Sequence, residues 1–312
     1  MLTRIGELAR RWAARTSPWT NVYGLARSVL ALATLLTLVC SETTTLFRPG
    51  AGRPDYPTCS GGLSAYGWFC LPFELPVLEW AAIVALIVIA SGWRPRVTAM
   101  LHWWIATSYH LNATLVDGGD QVNQILTLLI VPVALTDPRQ WHWQAPPERS
   151  HSDVFRRLIA GTTMTVIQIQ VAGIYFHAAI GKFAVQQWTN GTALYYWLQD
   201  GVYGAPDWIR PLLVPLLEHG TTVALMTWGV MLLEHLLGVA LLLRAELRRP
   251  LLCAGVALHL GILAVQGIAS FSLAMMAALL VYLHPWSRPL VLPIPALVLQ
   301  PQPQGTILDV HP

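Results

Sequence analysis

The chain has 312 residues, 54% of them hydrophobic and only 11% charged, with a formal net charge of +3. A soluble domain usually carries about a quarter charged residues. That excludes a water-facing exterior for much of this chain and predicts one that faces lipid. The basic residues stand in small groups beside apolar runs, without the basic face or aromatic-interleaved patch of a nucleic-acid binder.

Residues 1–20 are basic and amphipathic, and the long apolar run after them lacks a small-residue cleavage site. The expectation is an interfacial helix on the inner leaflet, with Leu8 and Trp12 toward lipid. Eight apolar segments follow, at about 22–40, 75–93, 97–116, 121–136, 158–181, 221–243, 250–268 and 270–287. Each approaches the roughly 20 residues that a crossing requires. The fourth is short and contains Pro132, which allows a tilted, broken or incomplete span. Asp117-Gly118-Gly119-Asp120 reads as a tight turn between the third and fourth. The tail, 289–312, is rich in proline and reads as extended or disordered.

With the N-terminus inside, the cytoplasmic segments hold Arg4, Arg10, Arg11 and Arg15, then Arg94 and Arg96, then Arg139, Arg149, Arg156 and Arg157. They continue with Arg244, Arg248 and Arg249, and end with Arg288. The outer segments hold only Arg48, Arg53, Lys182 and Arg210, while Arg27 falls inside the first span. This bias satisfies the positive-inside rule. The predicted fold is an all-α, polytopic transmembrane helical bundle of about eight helices, with both termini cytoplasmic. It divides into an N-terminal segment (1–20), a membrane domain (21–288) and a tail (289–312). The expected setting is the cell membrane, with the lipid bilayer as first partner.

Cys59 and Cys70 share the first outer loop, where either a disulfide or two free thiols fits the sequence. Cys40 and Cys253 fall within helices and read as small core residues, and no cysteine pair has zinc-site spacing. Lys182 is the only lysine. Unlike arginine, a lysine in a low-dielectric site can lose its proton and act as a base. Snorkelling at the outer boundary is the competing reading. Helical spacing places Gln168, Ala172, Tyr175, Ala179 and Lys182 on one stripe of the fifth segment. Further polar residues fall at membrane depth: Thr107, His110, Thr114 and Asp117 on one face of the third, Glu234 and His235 on the sixth, His259 and Gln266 on the seventh. They serve either helix packing or a shared cavity opening near Lys182. Arg27 needs a partner, with Glu234 and Glu79 as candidates.

The stretch Tyr175-Phe176-His177-Ala178-Ala179-Ile180-Gly181-Lys182, followed by Trp188 and Gly191-Thr192-Ala193-Leu194-Tyr195-Tyr196, resembles the horizontally transferred transmembrane (HTTM) family. That family is related to the membrane part of vitamin K-dependent gamma-carboxylase. Pro18-Trp19-Thr20-Asn21-Val22-Tyr23-Gly24-Leu25-Ala26-Arg27, Asp117-Gly118-Gly119-Asp120-Gln121, and His259 with Ser270-Phe271 resemble its bacterial branch named after sporulation-delaying protein B. The resemblance implies a bundle of about eight helices with an extracytoplasmic active face and Lys182 as candidate base. Tyr175, His110, Asp117, Glu234 and His259 would position or tune it. It implies, by analogy alone, a membrane quinol as cofactor. It also implies a role in maturing an exported, toxin-like peptide together with a small partner protein. Gly118, Gly119 and Asp120 stand where the carboxylase has a histidine and an asparagine, so the resemblance does not carry glutamate carboxylation. A non-catalytic transport or binding protein, or a toxin-immunity protein, is the alternative.

Overall fold

The computed structural model describes residues 2–49, 56–147 and 153–290. Among the described residues all regular structure is helical, apart from an isolated bridge between Trp93 and Trp141. The helices are α1 (Leu2–Arg15), α2 (Asn21–Cys40), α3 (Thr43–Leu46), α4 (Leu75–Ser91), α5 (Pro95–Asn112), α6 (Gly118–Thr136) and α7 (Val154–Lys182). They continue as α8 (Gln186–Thr189), α9 (Ala193–Leu198), α10 (Arg210–Leu217), α11 (Gly220–Gly238), α12 (Arg248–Gln266) and α13 (Ala269–Leu283). Each of the eight apolar segments corresponds to one long helix. By length and composition, α2, α7, α11 and the stretch Ala245–Gln266 are sufficient to cross a membrane, while α4 and α13 are apolar but shorter.

The bundle turns apolar side chains both inward and outward. Trp19, Tyr23 and Leu30 pack with Leu126, Ile130 and Met164, and with Met275, Leu279 and Tyr282 of α13. A second core joins the later part of α2 to α3, α4 and α5 through Leu38, Leu46, Phe69, Leu86, Ile105 and Tyr109. Outward, Trp80, Val84 and Ile87 on α4 and Leu225, Trp228 and Leu232 on α11 remain exposed at helical spacing. Such stripes are unfavourable in water and expected against lipid.

Several sequence expectations change here. The fourth apolar segment is one continuous helix that includes Pro132. Asp117 to Asp120 form its start and not a separate turn: the Asp117 carboxylate accepts from the Gly119 and Asp120 amides, and Asp120 accepts from the Asp117 amide. α5 ends at Asn112, so Thr114 and Asp117 lie beyond the face that carries Thr107 and His110. Trp12 turns partly inward, its ring over Gly161 and 6.1 Å from Trp286, whereas Leu8 stays exposed. Cys40 and Cys253 are exposed, because they lie on the outer faces of their helices. Cys59 and Cys70 are joined by a disulfide. The tail beyond 290 lies outside the described residues.

Arg27 pairs with neither Glu79 nor Glu234. Its guanidinium donates to the Thr98 hydroxyl and lies 3.5 Å from His142 Nδ1. His142 follows α6, and its amide donates to Gly92 O at 3.0 Å. Only glycine permits this approach: Gly92 has φ +90°, and a Cβ there would lie 2.4 Å from the His142 ring. Alongside, Arg139 grips Asp137 (Nη2–Oδ2 2.8 Å), which also accepts from the Tyr23 hydroxyl.

Burial, then the nearby Arg27 and Arg139 charges, pushes the His142 imidazole down to about 2. The folded state therefore excludes a proton that the unfolded chain takes up near 6.5. Stability is complete above pH 6.5 and falls by up to about 1.4 kcal/mol per unit as pH drops toward 2. Thermal denaturation of detergent-solubilised protein between pH 7.5 and 4.5 should show this loss, and His142→Gln should flatten it. An equal slope in both proteins would rule it out.

Candidate functional site

The end of the bundle opposite His142 contains a cavity of about 600 Å³. α7 ends at Lys182, so its length places the lone lysine there. α11 lies close to α7 because a Cβ on Gly238 would stand only 2.9 Å from the Phe176 backbone. That approach places Glu234 opposite Lys182, with Nζ–Oε2 at 2.6 Å. The chain then turns through α8, which lays Trp188 over the ammonium at 4.9 Å from the ring centroid. Both charged side chains are largely buried. A pair so placed interacts much more strongly than one in water.

The opposite wall is the start of α6 clamped to the start of α13. Ser270 Oγ donates to Asp117 Oδ2 at 2.7 Å. Gly119 lies so close to Phe271 that a Cβ would come within 2.3 Å of its Cα. Asp117, Asp120, Ser270, Phe271 and Gln266 all line the cavity. Its remaining wall is mostly apolar and aromatic, including Trp197, Tyr203, Leu258 and Ile262.

Of the candidate site residues read from the sequence, Lys182, Asp117 and Glu234 line this one cavity. Tyr175 and His259 do not line it. They are buried behind it and hydrogen-bonded to each other, Oη to Nε2 at 2.9 Å. They reach the cavity through Phe271, whose ring is 5.5 Å from His259. His110 also stands outside the lining, on α5, with no hydrogen-bond partner at Nδ1. The sequence reading missed Asp120, Trp197 and Tyr203. The aromatic run 195–203 was the available signal for the last two.

A helical membrane protein with a charged, aromatic-walled cavity at one end of its bundle is the class defined by this fold and site. The chain belongs to the HTTM domain family, whose domain it matches over residues 72–286. It is 36% identical to the uncharacterized protein YitO of Bacillus subtilis (strain 168) over 289 residues, covering 91% of this chain and 92% of that protein. It is 35% identical to sporulation-delaying protein SdpB of the same organism over 273 residues, covering 86% of this chain and 83% of that protein. No solved structure matches the chain.

Proposed function

We propose that this is a multi-pass protein of the cell membrane that matures an exported, toxin-like peptide, with Lys182 as the base. In this reading residues 21–288 cross the bilayer eight times with both termini cytoplasmic, and residues 1–20 and 289–312 flank that domain. The cavity then opens on the outer side, where an exported peptide and a small partner protein have access. The observation that carries the proposal is the Lys182–Glu234 pair, 2.6 Å apart in the wall of a cavity large enough for a side chain or ring.

The pair supplies a simple proton route. Glu234 Oε2 takes a proton from Nζ, and the free amine takes an acidic proton from the substrate. The carboxylic acid then gives its proton to the anion formed from the substrate, which restores the ion pair. Each transfer conserves charge over the pair and substrate, as a low-dielectric site requires. Tyr175 and His259 stand behind the cavity wall, Asp117 fixes the opposite wall, and His110, outside the lining, is a candidate tuning residue. The apolar lining with one lysine also fits the ring of a membrane quinol. Lys182 and Glu234 would hold its hydroxyl, and the quinol would supply redox equivalents.

A second reading has its own support. The Lys182 ammonium already has a carboxylate and an aromatic face, so it is satisfied without chemistry. The protein would then bind, transport or sequester a peptide. Mass spectrometry of peptides released by cells with and without the gene separates the two. Maturation predicts a peptide whose mass or terminus changes with the protein present. Identical peptide masses in both cultures would leave only binding, transport or immunity.

A further inference from the structure

The cavity explains Lys182, Glu234 and Asp117, but it leaves His259 with an unexplained atom. His259 is 3% exposed, and its Nε2 is bonded to Tyr175. Its Nδ1 is buried and has no hydrogen-bond partner. Among the described residues the Tyr175 hydroxyl has one hydrogen-bond partner, His259 Nε2. The arrangement in which that hydroxyl donates puts the imidazole proton on Nδ1. A buried N–H without an acceptor is costly, and more so in a membrane protein, where water is scarce.

The surroundings of that atom point to the cavity. Leu258 and Ile262, neighbours of His259 on α12, line it, and so does Gln266 two turns further on. Phe271 lines it too, and the same ring packs edge-on against His259. The Phe271 ring therefore touches both the cavity and His259.

We infer that His259 is a ligand-binding residue at the inner end of the cavity, where Nδ1–H donates to an oxygen acceptor on a neutral, largely apolar molecule. The acceptor is a carbonyl, ether or hydroxyl oxygen that enters as Phe271 swings aside. A neutral group suits the site, because Lys182 and Glu234 already neutralise each other and an ionic group would have to break that pair. Tyr175 is the positioning residue: by donating to Nε2 it keeps the proton on Nδ1 and the ring aimed. The inference rests on the cavity being a ligand site, as proposed above.

The test compares two probes of similar shape on the full chain in lipid nanodiscs: 2-acetonaphthone, which carries a carbonyl oxygen, and 2-isopropylnaphthalene, which does not. Binding is read by quenching of tryptophan fluorescence, with empty nanodiscs subtracted. The wild type should favour the ketone by about tenfold, the usual worth of one buried hydrogen bond. His259→Gln keeps a polar atom within reach of Tyr175 but has none at the Nδ1 position. It should bind both probes equally, with hydrocarbon affinity unchanged. Tyr175→Phe, the second variant if the first does not purify as one species, should weaken the preference by releasing the tautomer. Equal affinities in the wild type, or a preference that survives in both variants, would overturn the role of His259 and leave the cavity standing. Failure of both probes to bind the wild type would remove the cavity as a ligand site, and this inference with it.

Discussion

Lys182→Arg should leave the protein in the membrane at normal abundance and lower release of mature peptide by about a hundredfold or more. Arginine keeps the positive charge, reaches Glu234 and stacks on Trp188. The ion pair and its contribution to packing should therefore survive. What arginine does not do is give up its proton near neutral pH. If Lys182 acts as a base, the general-base contribution of about 10²–10⁴ disappears with that ability. Immunoblotting of the membrane fraction and quantitative mass spectrometry of the medium read the two quantities separately. Near-normal output from Lys182→Arg would sink the catalytic reading and favour simple binding. Glu234→Gln is the companion variant. It removes the carboxylate that takes the proton from Nζ, so its output should fall as well.

The sequence made the bundle legible for a simple reason. Hydrophobicity over about 20 residues is a local property, and every one of the eight apolar segments is a long helix. The lone lysine was also legible, because its rarity is visible without any structure. Partners across the bundle were not. Arg27 was expected to find a carboxylate, since an ion pair is the usual way to bury a charge. It instead meets Thr98 and His142, and a buried carboxylate close enough to act on its charge, Asp137, is gripped by Arg139. Nothing local to residue 27 reports that the chain after α6 folds back beneath it. His142 between Trp141 and Trp143 was the one available hint, a polar ring set among two large apolar ones. Asp117 was misplaced for a similar reason. Asp-Gly-Gly-Asp satisfies both turn chemistry and a helix start, and only the reciprocal bonds between Asp117 and Asp120 decide between them.

The second large effect should come from Gly119→Ala, and its neighbour supplies the control. Both glycines open α6, and alanine is favoured over glycine within a helix by up to about 1 kcal/mol. Propensity alone therefore predicts that either change stabilises. At Gly118 the new methyl would lie 3.7 Å from the edge of the Phe271 ring, an ordinary contact. At Gly119 it would lie 2.3 Å from Phe271 Cα and 2.7 Å from Phe271 N. Backbone has no rotamer to escape into, so α6 and α13 must separate. The same methyl falls 2.9 Å from Asp117 Oδ1, which accepts the Gly119 and Asp120 amides, so the helix cap is strained as well. Overpacking of this kind costs about 1–3 kcal/mol, with the loss of the Ser270–Asp117 bond adding about 1 kcal/mol more. Gly119→Ala should thus lower the Tm in detergent by several degrees while Gly118→Ala holds or raises it. Because the clamp forms one wall of the cavity, Gly119→Ala should also reduce peptide output at temperatures where the protein remains folded. Equal Tm values for the two alanine variants would show that the α6–α13 contact is loose, and the cavity wall with it.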